Sequence, residues 1–186
     1  MQHFVFKRST IYYFILGIAS IMVSSAFIIA NQIRADDSCY KITKVAGSDN
    51  VYLETKRFSG TIFSANTKFS DHDSDKRFTP TIPEIFKAEV LFKNCLTTGK
   101  KDDDGIFVDK KMIDKPSAYY RQYVGFLNKK GQKVIFFNCF KKKIQLHGFN
   151  WKKDELMVMD GGNAFFNVMI NLTTQACSRF IVNGDA

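Results

Sequence analysis

Hydrophobic and polar positions change period along this chain, and the changes mark its elements. Between Tyr119 and Asn183 short aromatic and β-branched runs close on Gly, Asn or Lys: YYRQYVGFLN, a KKGQ turn, KVIFFNCF, ELMVMD, a DGGN turn, AFFNVMINLTT and SRFIVNG. Runs of this kind predict an antiparallel meander, with Gly and Asn supplying the positive φ that tight hairpins need. In KVIFFNCF the alternation puts Val134, Phe136 and Phe140 on one face and Ile135, Phe137 and Cys139 on the other, so both faces should be covered. In AFFNVMINL, Phe166, Val168, Ile170 and Leu172 share a face opposite Asn167 and Asn171, the pattern of a half-buried strand.

After the Thr79-Pro80-Thr81-Ile82-Pro83 segment the period becomes helical. Ile85, Ala88, Phe92 and Cys95, joined by Leu91 and Leu96, form one apolar stripe, and Lys87, Glu89, Lys93 and Asn94 fall outside it. Pro83 and Glu84 suit a first helical turn, and Thr97-Thr98-Gly99 supplies a stop. The helix is expected to pack on the Phe166 face. Upstream, CYKITKV, VYLETK and FSGTIFSA predict three short strands, and TKFSDHDSDKRF a charged surface loop. Residues 97–118 make a long connection with one short apolar run; connections of this length in a compact domain are functional or disordered, so a recognition loop is sought here first.

Residues 11–30, IYYFILGIASIMVSSAFIIA, carry no charged side chain and are long enough to cross about 30 Å of hydrocarbon as a helix. Lys7 and Arg8 precede the run, whereas Arg34 is answered by Asp36 and Asp37, which orients the domain outside the cytoplasm. The expected division is a signal anchor or signal peptide over 1–35 and an extracytoplasmic domain over 36–186. The protein would be anchored to the membrane through residues 11–30, or secreted if the segment is cleaved after Ser24-Ser25-Ala26 or Ile33-Arg34-Ala35. Cys39 follows Asp36-Asp37-Ser38, which does not fit a lipoprotein signal.

Composition narrows the picture further. A hydrophobic share of 45% and 19 Phe call for a packed core and exclude disorder. The net charge of +9 comes largely from Lys pairs and triplets in expected turns, such as Lys129-Lys130 and Lys141-Lys142-Lys143. Solvated turns account for them, and a patch facing anionic headgroups or polyanions is the alternative. Nucleic acid is not an expected partner, since KKGQKVIFFNCF lacks the RNP1 pattern. Four cysteines, Cys39, Cys95, Cys139 and Cys177, allow two disulfides in any of three connectivities. With Cys95 at the helix end and Cys139 in a core strand, Cys95–Cys139 is the first pairing to expect; buried free thiols are the other reading.

Catalytic traces are scarce. His3, His72 and His147 sit in no catalytic signature, and there is no G-x-S-x-G, C-x-x-C or phosphate-cradling Gly loop. Asp71, Asp73 and Asp75 resemble the opening of a calcium loop, but Lys76 and Ile82 stand where its Gly and Glu belong. Asp102-Asp103-Asp104-Gly105 reads as a solvated turn. No catalytic residue, metal or cofactor is therefore assigned. Tyr119, Tyr120, Arg121 and Tyr123, with Trp151, are the candidate interaction surface, because Tyr, Trp and Arg dominate interface hot spots. Core packing of the meander accounts for the same residues without a partner.

The order FTPT, an amphipathic helix ending in Cys95-Leu96, YYRQYVGFLN, GQKVIFFNCF, a Trp, DGGN, FFNVMINL and a closing Val-Asn-Gly resembles an uncharacterised family of small bacterial envelope proteins and lipoproteins, over residues 78–184. The resemblance implies an envelope location and carries no activity. The expected fold is α+β: one main helix on a curved antiparallel sheet of about four to six strands, cystatin-like or NTF2-like in outline, behind an N-terminal transmembrane helix or signal. The leading functional expectation is a non-enzymatic envelope protein that binds a partner through the Tyr119 region and the 97–118 loop. The alternative is a small-ligand cavity protein or hydrolase of a cone-shaped α+β fold, which a convergent polar pocket between helix and sheet would favour.

Overall fold

The computed structural model describes residues 39–69, 76–98 and 115–184. The apolar run 11–30, the Asp71–Asp75 loop with His72, and residues 99–114 of the long connection lie outside the described residues. The chain divides into two units, Met1–Ser38 and Cys39–Ala186, and everything below concerns the second. Among the described residues no helix is long and apolar enough to cross a membrane.

The second unit is α+β, with one helix packed on an eight-stranded, mostly antiparallel open sheet among the described residues. The three upstream runs form β1 (Tyr40–Lys44), β2 (Val51–Thr55) and β3 (Ser59–Ile62). After β4 (Lys76–Phe78) and α1 (Ile82–Thr98) come β5 (Tyr119–Leu127), β6 (Lys133–Lys141), β7 (Phe165–Asn171) and β8 (Ala176–Val182). The sheet runs β1-β2-β3-β5-β6-β7-β8. One edge of β5 is shared: Tyr120–Tyr123 pair with β3 in parallel, and Gly125–Leu127 pair with β4 antiparallel.

That parallel pair departs from the expected all-antiparallel sheet, and eight strands exceed the expected four to six. The physical reason is connectivity, which period-two patterning does not encode. Parallel neighbours need a crossover, and β4 and α1 supply it between β3 and β5. The β5–β8 strands otherwise form the meander, with Gly131 at φ 71° in the β5–β6 turn. ELMVMD is not one of its strands. Residues 155–159 instead run across the sheet face, and the Leu156 N–H donates to Gln122 Oε1 at 3.0 Å.

Thr81 and Glu84 start α1 with a capping box, the Thr81 N–H and hydroxyl both donating to Glu84 Oε2 at 2.9 Å. Ile85, Ala88 and Phe92 then face the sheet and are buried. Phe92 meets Phe137, Phe166 and Phe180 with ring centroids 5.6–6.1 Å apart, placing α1 on the Phe166 face as expected. Among the described residues the opposite face is covered without a helix. Phe63 and Phe69 pack there on Val124, Phe126, Val134 and Phe136, and the 150–156 segment is bound by side-chain amides. Gln122 Nε2 donates to the Trp151 and Asp154 carbonyls, Asn138 Nδ2 to the Leu156 carbonyl, and buried Asn50 to the Lys152 and Lys153 carbonyls. Both faces of β5 and β6 are thus buried, as their patterning requires.

Cys95 pairs with Cys177 on β8, Cα to Cα 6.3 Å, and not with Cys139. The expected partner was misplaced because Cys139 lies on β6, under the helix, whereas Cys95 ends the stripe above β8; α1 contacts both β7 and β8. Cys139 is a buried free thiol and Cys39 an exposed one. The bridge closes a separation of 82 residues, and its removal by Cys95→Ala with Cys177→Ala is expected to cost about 2–5 kcal/mol in denaturant unfolding. Alkylation without reductant should modify Cys39 in the native protein and add Cys139 only after unfolding; a native protein in which Cys139 is already bridged would overturn this assignment.

Candidate ligand cleft

Alternation along β5 decides where its aromatic residues go. Tyr119, Arg121 and Tyr123 point to the helix side and are buried, whereas Tyr120 points to the opposite face. There Tyr120 stacks on Trp151, 4.7 Å between centroids, with Tyr52 and Phe140 at the indole edges and Lys152 Nζ 3.8 Å over the Tyr52 ring. The five residues of the candidate interaction surface are therefore divided: Tyr120 and Trp151 meet in a half-buried cluster, and Tyr119, Arg121 and Tyr123 lie inside on the other side of the sheet.

The three inner residues lead to a site that sequence reasoning did not assemble. Beside its sheet-facing stripe, α1 presents Glu89, Val90, Lys93, Leu96 and Thr97, a second face at i, i+1, i+4, i+7 and i+8. This face looks towards the Lys56-Arg57-Phe58 turn between β2 and β3, and towards Lys115, Pro116 and Ser117, which lead into β5. Together they bound an open cleft of about 690 Å³ whose lining is mainly apolar. That volume lies inside the roughly 300–1,000 Å³ range of small-molecule sites.

Arg121 and Glu89 form its polar inner end. Arg121 Nε sits 2.6 Å from Glu89 Oε1, an ion pair with the guanidinium 1% and the carboxylate 10% exposed. The contact is a charge pair and not an aligned N–H···O bond. Arg121 Nη1 donates to the Tyr119 carbonyl and Nη2 to the Pro116 carbonyl, at 2.9 and 3.0 Å, while the guanidinium lies over the Phe58 ring. The Tyr123 hydroxyl donates to the same Glu89 oxygen at 2.8 Å. Gly60 on β3 makes room for this: a Cβ there would stand 2.5 Å from the Arg121 carbonyl oxygen and 2.6 Å from the Tyr123 ring.

Burial dominates the proton affinities. It raises the Glu89 carboxyl above its ordinary range, against the opposing pull of Arg121, the Tyr123 hydroxyl and Arg57. Burial and the adjacent Glu89 charge push the Tyr123 phenol well up, so it remains a donor. Arg121 is disfavoured by burial but raised on balance by Glu89, so it stays charged. Cys139, nearby on β6, is raised far out of the nucleophilic range by burial.

Chemically, the cleft offers apolar walls, a self-neutralised pair at its inner end, and Lys56, Arg57, Lys93 and Lys115 around it. Ser117 and Thr97 are the hydroxyls among the described lining residues, and Glu89 is the one acid. Among the described residues no three His, Cys, Asp or Glu gather as a metal site. The signal available in the sequence was Glu89 itself, a carboxylate between Ala88 and Val90 in the run AEVLF, matched by Arg121 among alternating aromatics. Buried charges demand partners, and both of these charges are embedded in apolar or aromatic runs. Neither a family model, a curated protein nor a solved structure matches this chain.

Glu89→Ala is expected to lose about 3–5 kcal/mol of folding stability, because Arg121 would be left buried and uncompensated. A midpoint shift worth less than about 1 kcal/mol would show that the pair does not hold α1 to the sheet. The pH dependence has a definite sign. A carboxyl raised in the folded state favours folding fully below its unfolded value, and loses that contribution as pH rises through the folded value. The stability difference between wild type and Glu89→Gln should therefore move against the wild type across that acidic window and be flat above it.

Proposed function

We propose that this protein is a non-enzymatic, extracytoplasmic binding module whose ligand site is the cleft between α1 and the sheet. The observation that carries the reading is the cleft itself: about 690 Å³ of mainly apolar space ending on a buried, paired Arg121 and Glu89. A core that needed only to be dry would fill this end with another Phe, as it does around Phe92. The extracytoplasmic placement rests on the charge-flanked run 11–30, held as a signal anchor or cleaved as a signal peptide, and is supported by the Cys95–Cys177 bridge, since disulfides persist in oxidising compartments.

The hydrolase alternative draws on the raised Glu89 carboxyl, a property of general acids. Its geometry favours structure over catalysis. One Glu89 oxygen is engaged by both Arg121 and Tyr123, and the raised Cys139 thiol is buried away from any nucleophilic role. Binding needs none of these groups to turn over.

Full-length protein purified under mild conditions and extracted with organic solvent should yield a small molecule near one equivalent by mass spectrometry. The extract of Leu96→Trp, which fills the cleft, should lack it. Identical extracts from the two proteins would remove the cleft as the binding site. A periplasmic-versus-cytoplasmic reporter fused after Ala186 is expected to report the external side, and a cytoplasmic signal would sink the compartment assignment independently of the cleft.

A further inference from the structure

We infer that the ligand of this cleft is an anionic amphiphile: a single acidic headgroup, carboxylate or phosphate, on an aliphatic chain. The inference rests on the reading of the cleft as a binding site and adds the charge and shape of what enters it. Inside, Phe58, Val90, Phe92, Leu96 and Pro116 offer apolar contacts with no donor or acceptor on their side chains, which suits a hydrocarbon chain.

The charges decide the headgroup. Glu89 and Arg121 neutralise one another at 2.6 Å, and Arg121 spends further donors on the Tyr119 and Pro116 carbonyls. Among the described lining residues, Lys56, Lys93 and Lys115 then stand with no second carboxylate beside Glu89. Lys56, Lys93 and Lys115 are exposed, so their ammonium groups can meet a headgroup at the mouth without a desolvation penalty of the size a buried ion faces. The carboxyl-terminal dipole of α1 opposes an anion there with about half a charge, which the three lysines outweigh. Glu89 adds direction: an acidic headgroup driven inward would meet a carboxylate, so the chain enters first and the anion stays at the mouth.

Three ten-carbon probes separate these terms: photoactivatable diazirine derivatives of decanoic acid, decanol and decylamine, applied to the full-length protein below micellar concentration. Labelling is read by mass spectrometry on the peptides spanning 89–97 and 115–121, so adsorption elsewhere does not count. The decanoate probe is expected to half-saturate these peptides at about one tenth the concentration needed for the decanol probe, the size of several exposed charge contacts acting together. The decylamine probe should be the weakest. Replacing Lys56, Lys93 and Lys115 by Gln, all exposed and thus tolerated by the fold, should bring decanoate to the level of decanol. Equal labelling by all three probes would overturn the anionic assignment while leaving the cleft a ligand site. Absence of labelling by any probe would sink the cleft reading itself. Labelling that arises only after Ile106, Phe107 and Val108 are changed to Ser would assign the cleft to the chain's own 99–114 segment and overturn the proposal.

Discussion

A guanidinium 1% exposed in the middle of an aromatic core is the constraint to which the rest of this structure answers. Arg121 cannot shed its proton, so folding must bring it a carboxylate and acceptors for its remaining donors. Glu89 supplies the first from the helix, and the Tyr119 and Pro116 carbonyls supply the second from the strand entry. Those demands fix the rotation of α1 about its axis, since only one face can carry Glu89 to β5 while Phe92 meets Phe137 and Phe166. They also require glycine at position 60, where the β3 backbone passes the Arg121 carbonyl.

The same constraint makes the two halves of the helix interface unlike. Towards β7 and β8 the contact is aromatic and dry, with Phe92, Phe166 and Phe180 in mutual ring contact and Cys95 bridged to Cys177. Towards the β2–β3 turn the charged pair occupies the inner end, and the walls diverge into the cleft. On the far side of the sheet no helix lies among the described residues, and the covering segment 150–156 has no ladder of its own. Gln122, Asn138 and Asn50 therefore act as side-chain substitutes for a neighbouring strand, binding carbonyls from Trp151 to Leu156. Gln122 and Asn138, polar residues inside strands with apolar neighbours, are fastenings for irregular backbone.

Much of this was legible in the sequence, and the parts that were not share a cause. The β5–β8 runs, α1 from Ile82, and the burial of both faces of β6 follow from period and turn chemistry, which are local. The parallel β3–β5 pairing, the strand count and the Cys95–Cys177 bridge depend on which distant segments meet, and period does not carry that. The division of Tyr119, Arg121 and Tyr123 from Tyr120 was readable by the alternation already applied to β6; grouping aromatic residues by proximity in sequence overrode it. ELMVMD misled for another reason: its spacing fits a strand, but its donors and acceptors go to Gln122 and Asn138, and no pattern of apolar residues announces that. Glu89 lay outside the apolar stripe by polarity and inside the structure by pairing.

The disulfide bears on binding as well as on stability. Cys95 lies in the same two turns of α1 that contribute Lys93, Leu96 and Thr97 to the cleft wall, and its bond runs to the opposite flank, on β8. A helix end held covalently on one flank cannot swing away when the other flank is wetted. The wall is thus set before a ligand arrives, and the ordering cost that would otherwise fall on association is met during folding. Loss of the bridge would leave the inner end of the site in place, because Glu89 lies more than a turn away and is held by Arg121 and Tyr123, while freeing the mouth. Affinity and stability should then respond to reduction through different residues: stability through the closed chain between Cys95 and Cys177, affinity through the positions of Lys93 and Leu96 alone.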